Sequence, residues 1–312
     1  MILIYFIERT MITLKQLTYA LEIAKTRHFK KAAMACGVSQ SALSTALTEL
    51  ENQLGFQVFE RDNKKVLITS LGEKVLEKAR AIKLEVDDLY LLSKTQDEPL
   101  CYPMKIGTIP TIGPYLLPKV LPELRRRYPD FKLSIIEEQS HVLVEKVRSG
   151  EIDTAILALP YAHLGLHAFE FWDEDFYIIA HADDVKPGQT EISGSELKTS
   201  DLLLLKDGHC LKDHALSACK LPPTDVDNSL AGTSLNTLVQ MVAGHMGTTL
   251  VPQMALDQML HENSDLKALH LKDPGPHRTL AFLTRPNYVG LANIELLMQI
   301  FKEQLQKHCH FG

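Results

Sequence analysis

The 312 residues hold little that suits a membrane, an oxidising compartment or a disordered chain. No apolar run approaches the ~18 residues of a membrane span, and the opening Met1–Ile7 is far too short. That opening also lacks the basic leader and small-residue cleavage site of a signal peptide, so a cytoplasmic protein is expected. Five cysteines (Cys36, Cys101, Cys210, Cys219, Cys309) are too few, and odd in number, for a structural disulfide framework. Any disulfide is expected to act as a switch. Internal repeats and low-complexity segments are absent. What is present is ordinary for a globular chain: 45% apolar and 23% charged residues, enough for about two domains of ~100–200 residues.

Negative charge dominates, but unevenly. Met11–Lys94 carries 13 Lys and Arg against 10 Asp and Glu, whereas from Thr95 onward the count is 19 against 28. A slightly basic front on an acidic rear suits a nucleic-acid reader joined to another module.

The front is almost wholly helical in pattern. Leu14, Leu17, Leu21 and Ala24 have the spacing of an amphipathic helix, and Phe29–Cys36 reads as a short Ala-rich helix stopped by Gly37. Ser39 is a natural N-cap for a further helix with Leu43, Leu47, Leu50 and Leu54 on one face. Short strands are expected at Phe56–Phe59 and Val66–Thr69, joined by a basic tip. Residues 71–94 form a long helix whose apolar stripe, Val75 through Leu92, suits pairing with a second copy. Residues 95–102 read as a hinge. Strand and helix patterns then alternate, with strands at Lys105–Ile109, Lys132–Glu137 and Thr154–Leu159, so a parallel sheet with helices on both faces is expected. Further strands are expected at Phe176–Ala180, Leu202–Leu205, Thr248–Leu250 and Thr279–Leu283. The length implies two α/β lobes, residues 103–173 with 279–312 and residues 174–278.

The stretch Phe29–Leu50 has the form of a helix-turn-helix. Ala32, Ala33 and Ala35 allow close helix approach, Gly37 takes the turn and Val38 plugs the core. Ser39, Gln40, Ser41, Ser44 and Thr45 form a polar face of short donors and acceptors suited to base edges and phosphates. The same pattern also fits a helical hairpin whose Ser/Thr face meets only water. Arg61, Lys64 and Lys65 at the hairpin tip favour the DNA reading, because a basic wing contacts backbone phosphate. Thr13–Leu17, Phe29–Ala33, Val38–Ser44, Leu50–Gly55, Phe59–Arg61, Leu67–Thr69 and Gly72 together resemble the winged helix-turn-helix of LysR-type transcriptional regulators. One departure is Ser41, where that family often has Pro. The resemblance implies a DNA-binding domain at residues 11–70, a dimerising linker helix at 71–94 and a two-lobed, periplasmic-binding-protein-like effector domain behind the hinge. It places the usual start at Met11, so residues 1–10 are expected to be an extension that DNA binding does not need.

A second group lies at Leu205–Cys219. Cys210 follows a strand and a Gly turn, where a helix is expected to begin, with His209, Lys212 and His214 close in sequence. A helix start and neighbouring cations favour thiolate, the reactive form. A buried structural cysteine remains the alternative. Gly208-His-Cys-Leu-Lys-Asp213 with Cys219, Gly107–Pro118, Glu138–His141, Ala155–Leu159 and Thr233–Thr237 resemble the hydrogen peroxide-sensing branch of the LysR-type regulators. That resemblance covers about Met11 to Lys307. It implies that Cys210 is the peroxidatic and Cys219 the resolving cysteine. Thr111 would orient peroxide, His209 and Asp213 would flank the sulfur, and Arg278 would supply positive charge or orient the pocket. Ser140 stands where that branch often has Thr, keeping the hydroxyl and losing a methyl. The Thr111 and Ser140 hydroxyls can donate to or accept from the leaving oxygen.

Three functions remain: a peroxide-responsive regulator, a LysR-type regulator answering a small metabolite, and a thiol peroxidase. A DNA reader adds nothing to catalysis, which disfavours an enzyme, and the Gly-His-Cys segment favours the sensor. The resemblance further implies a homotetramer (a dimer of dimers) on double-stranded operator DNA, contact with RNA polymerase, control of antioxidant genes, and resetting by a cellular thiol reductant. Cys36 is expected to pack in the core and Cys101 and Cys309 to be exposed bystanders. No cofactor is expected. His308-Cys-His310 is a poor metal set at a chain end, and no metal is expected either.

Overall fold

A capping box starts the first helix. The Thr13 hydroxyl accepts from the Gln16 N–H at 3.2 Å, and the Gln16 side-chain oxygen accepts from the Thr13 N–H at 2.8 Å. The computed structural model describes residues 11–62, 65–92, 99–197, 199–221, 232, 234–261 and 263–308, and the chain divides into two compact units, residues 1–93 and 94–312. Residues 1–10, Lys64 and Cys309 lie outside the described residues, and of Arg61 and Lys65 only the backbone is described.

In the first unit, α1 (Leu14–Thr26) buries Leu17, Tyr19, Ala20 and Ile23 against α2 (Phe29–Ala35), which offers Ala32 and Ala33. Gly37, at φ +66°, makes the turn. Helix α3 (Gln40–Leu54) begins where Ser39 Oγ accepts from the Ala42 N–H, and ends at Gly55 in the left-handed region. Its Leu43, Leu47 and Leu50 are fully buried, and Val38 packs at the edge of the same core. Strands β1 (Phe59–Asp62) and β2 (Lys65–Ile68) form the antiparallel wing. The expected strand at Phe56–Phe59 begins only at Phe59. The Val58 and Phe59 N–H groups donate instead to the Glu51 carboxylate, at 2.8 and 3.1 Å, tying the wing to the end of α3. Helix α4 (Ser70–Leu92) starts against the wing at Gly72, where a Cβ would come within 2.2 Å of the Val58 carbonyl oxygen. Leu76 and Ala79 of its stripe are buried, while Ile82, Leu89, Tyr90 and Leu92 are exposed.

Among its described residues the second unit contains two five-stranded sheets. The first comprises β3 (Met104–Thr108), β4 (Leu133–Glu137), β5 (Thr154–Leu159), β6 (His167–Glu174) and β12 (Arg278–Thr284), in the order β4-β3-β5-β12-β6. The second comprises β7 (Phe176–His181), β8 (Glu191–Ile192), β9 (Leu202–Leu203), β10 (Thr248–Pro252) and β11 (Leu266–Leu271), in the order β8-β11-β7-β10-β9. The chain passes from one to the other at Asp175 and returns before Arg278. The sheets are mixed rather than parallel, which corrects the expectation. β3 is parallel to β4 and β5, but β12 re-enters from the second lobe and pairs antiparallel with β5 and β6. The half-buried β6 and β11 carry weak alternation and are not anticipated from the sequence. The connecting helices are α5 (Gly113–Arg127), α6 (Ser140–Arg148), α7 (Cys210–Ala218), α8 (Leu235–Ala243), α9 (Leu256–Leu260) and α10 (Leu291–His308).

Candidate functional site

The second unit assembles its polar core at the carboxyl ends of β3, β4 and β5, the usual place for a site in an open α/β sheet. Thr111 follows β3, Ser140 opens α6 after β4, and Pro160 follows β5. Cys210 is the first residue of α7, reached through the Gly208 turn at φ +95°. A Cβ on Gly208 would lie 2.7 Å from the Gln139 side chain, so glycine is what lets this turn close on the start of α6.

The Cys210 side chain is buried against the Ser140 hydroxyl, which has no partner beyond the thiol. Arg278, at 1% exposure, supplies the nearby positive charge. Its guanidinium forms an ion pair with Glu174 at 2.7 Å and reaches the Thr111 hydroxyl at 3.4 Å and carbonyl oxygen at 3.2 Å. Glu174 is itself fixed, its other carboxylate oxygen accepting from the Met254 N–H at 2.6 Å. Thr111, Ser140, Cys210 and Arg278, far apart in sequence, thus meet.

Burial pushes the Cys210 thiol up. The Ser140 hydroxyl and the Arg278 charge pull it down without overcoming that, and Asp213 adds to the upward shift. This corrects the expectation that local cations favour thiolate. Lys212 is paired with Asp207 at 2.7 Å, and burial lowers the pKa of both His209 and His214. His214 Nε2 lies 2.9 Å from the Pro160 carbonyl, which only accepts, so this nitrogen carries the proton and Nδ1 is a buried acceptor without a partner. His209 precedes α7 with no capping bond from its side chain, and Asp213 is exposed. Cys219 caps the far end of α7, is buried, and has its thiol pushed up to about 12 by burial and then by Asp273. Both cysteines are free.

The first unit presents a different surface. Ser39, Gln40, Ser41 and Thr45 of the α3 start are exposed and Ser44 is half-buried. Cys36 is half-buried at the edge of the core, and Cys101 in the second unit is exposed.

Residues 14–73 match the bacterial regulatory helix-turn-helix protein, lysR family, and residues 98–306 match the LysR substrate binding domain. The chain belongs to the LysR family. It is an OxyR-like transcriptional regulator rather than an enzyme. It is 38% identical over 93% of its length to the HTH-type transcriptional regulator EstR of Acinetobacter baylyi, covering 96% of that protein. It is 36% identical over 95% of its length to the hydrogen peroxide-inducible genes activator of Dickeya chrysanthemi, covering 96% of it. A full-length OxyR variant from Pseudomonas aeruginosa, with a cysteine-to-aspartate change, superposes with a TM-score of 0.78 at 32% identity. That superposition covers 94% of this chain and 95% of the other.

Sequence reasoning gives Glu174 no role in the pocket of this LysR-family chain and treats His214 only as a cation near Cys210, not as a buried ring bonded to the Pro160 carbonyl. Glu174 sits in the acidic run Asp173-Glu-Asp175, which reads as solvated surface; only the lobe crossing turns it inward. His214 has a signal in retrospect, standing one helical turn after Cys210 on the buried face. No helix among the described residues is long and apolar enough to cross a membrane.

Proposed function

We propose that this regulator senses hydrogen peroxide at Cys210, with Cys219 as the resolving partner, and that the rearrangement imposed by their disulfide is transmitted to the bound operator DNA. The observation that carries the reading is a buried cysteine at a helix start, with the Ser140 hydroxyl at its sulfur and Arg278 pinned beside it by Glu174 and Thr111. Relatives named hydrogen peroxide-inducible genes activator support it. The Cys210 thiol gives up its proton as its sulfur attacks one peroxide oxygen; the S–O bond forms, the O–O bond breaks, and the second oxygen takes up that proton and leaves as water. Ser140 and Thr111 are the hydroxyls that can steady that departing oxygen. The sulfenic acid then condenses with the Cys219 thiol, releasing a second water and leaving the disulfide.

The resting fold resists that last step. Nine residues of helix at ~1.5 Å rise separate the two Cα atoms by roughly 13 Å, whereas a disulfide needs about 4.4–6.8 Å. Oxidation therefore unwinds α7 and shifts whatever packs on it. The exposed Ile82, Leu89, Tyr90 and Leu92 of α4 form a dimerising face, with two dimers making the tetramer. In this reading Ser39, Gln40, Ser41, Ser44 and Thr45 meet the major groove and Arg61, Lys64 and Lys65 the flanking phosphates. The protein works in the cytoplasm, contacts RNA polymerase when oxidised, and is reset by a cellular thiol reductant.

The test is mass spectrometry with a sulfenic-acid probe after a peroxide pulse. Wild type should yield a Cys210–Cys219 peptide, Cys219→Ser should carry the probe on Cys210 alone, and Cys210→Ser should lose the transcriptional response. Labelling chiefly of Cys36, Cys101 or Cys309, or no oxidation that alters DNA binding, would instead favour a metabolite sensor.

A further inference from the structure

The second lobe holds a group of metal-competent side chains well away in sequence from the cysteines. His181 ends β7, Asp183 follows in the next turn, and His245 lies in the turn between α8 and β10. One ligand atom from each lies within 4.8 Å of the others. The strand register accounts for the meeting: β10 runs antiparallel to β7 with Thr249 opposite Ile179, which carries His181 to the level of Gly247, beside the His245 turn.

Two features set these residues apart from a chance surface cluster. The His181 and His245 rings lie only 3.6 Å apart between centroids, a close approach of two polar rings. His245 is also held at φ +57°, a conformation that side chains other than glycine seldom adopt, by backbone bonds from its own N–H to Val242 and from Met246 to Met241. His181 is nearly buried, with its Nδ1 3.3 Å from the Asp183 N–H and 3.4 Å from the Asp183 carboxylate, so a metal ion would take the Nδ1 lone pair in place of that long N–H bond. Asp183 and His245 are exposed, so their side chains can adjust by rotation.

We propose that His181, Asp183 and His245 form a binding site for a divalent transition-metal ion, with Zn(II) as the reference ligand. Two imidazole nitrogens and one carboxylate oxygen are a borderline donor set that suits Zn(II), Co(II), Ni(II) or Cu(II) and excludes Mg(II) and Ca(II), which prefer all-oxygen shells. A tetrahedral ion with bonds of about 2.0 Å draws its ligand atoms to roughly 3.3 Å from one another, a short contraction from the present spacing. Three protein donors leave the fourth position to water, and two exposed ligands make the ion exchangeable. Its effect is to clamp the end of β7 to the turn entering β10, independently of the thiols.

The experiment uses the full-length reduced protein titrated with Co(II), then displaced by Zn(II). One equivalent should bind, with visible ligand-field bands and no thiolate charge-transfer band, and Zn(II) but not Mg(II) should raise the melting temperature. His245→Gly, which keeps the left-handed turn unstrained, and Asp183→Asn should each weaken binding by about tenfold or more. A variant of the tail, His308→Ala with Cys309→Ser and His310→Ala, should bind like wild type. Unchanged affinity in His245→Gly, loss of binding in the tail variant, or a thiolate band would overturn the proposal.

Discussion

The two units of this chain keep their polar chemistry in opposite places. In the first, the core cluster is built from apolar side chains, although Gln16 and Asp88 are also buried, and the groups fitted to meet DNA are short side chains on the exposed start of α3. In the second, Thr111, Ser140, Glu174, Cys210 and Arg278 are all buried, and each depends on another for its hydrogen bonds or charge. A surface reader can lose one contact and keep the rest, because water replaces the missing partner. A buried polar site has no such substitute, since low dielectric strengthens its pairs and raises the cost of leaving one member alone.

The largest effect that follows is at the ion pair. Glu174→Ala leaves the Arg278 guanidinium buried and uncompensated and should cost about 3–5 kcal/mol of stability, read by denaturant unfolding of the full chain. A cost below about 1 kcal/mol would break the contrast, since it would make the pair no more demanding than an exposed one.

Next comes pH. The native fold keeps the Cys219 thiol protonated up to about 12, whereas the unfolded chain releases that proton near 9. The native state then binds more protons than the unfolded one, so the stabilisation is complete below the unfolded value and is lost as pH rises toward the folded value. Unfolding curves above about pH 9 should show this decline in wild type and less of it in Cys219→Ser. An equal decline in both would show that Cys219 is not its source.

On the reader side the expected effects are smaller and separable. Ser39→Ala removes the bond to the Ala42 N–H and should cost about 1 kcal/mol of stability. Gln40→Ala and Ser44→Ala should relax preference at particular base pairs, as competition binding against mutated operators would reveal. Smallest per residue are Lys64→Ala and Lys65→Ala, each weakening all sequences alike and reducing the slope of log affinity against log salt by about 0.9. A change of sequence preference at constant slope would mean that these lysines do not meet phosphate. A chain starting at Met11 should bind as tightly as the full chain.

How much could be read in advance follows the same division. Helix periodicity, the Ser39 cap, the Gly37 turn and the apolar face of α3 are local properties, each set by residues a few positions apart, so the amino-acid sequence alone determined the helix-turn-helix and the linker helix. Local pattern likewise marked Cys210 as the start of a helix. It could not show the protonation of that thiol, because the cations beside it in sequence are neutralised by burial or by Asp207, while the charge that counts comes from Arg278 across the lobe crossing. The antiparallel return of β12, the inward turn of Glu174 and the meeting of His181 with His245 were decided only by tertiary structure. Each joins segments that no local rule connects, and each depends on which strand pairs with which once the chain has left the first lobe and come back.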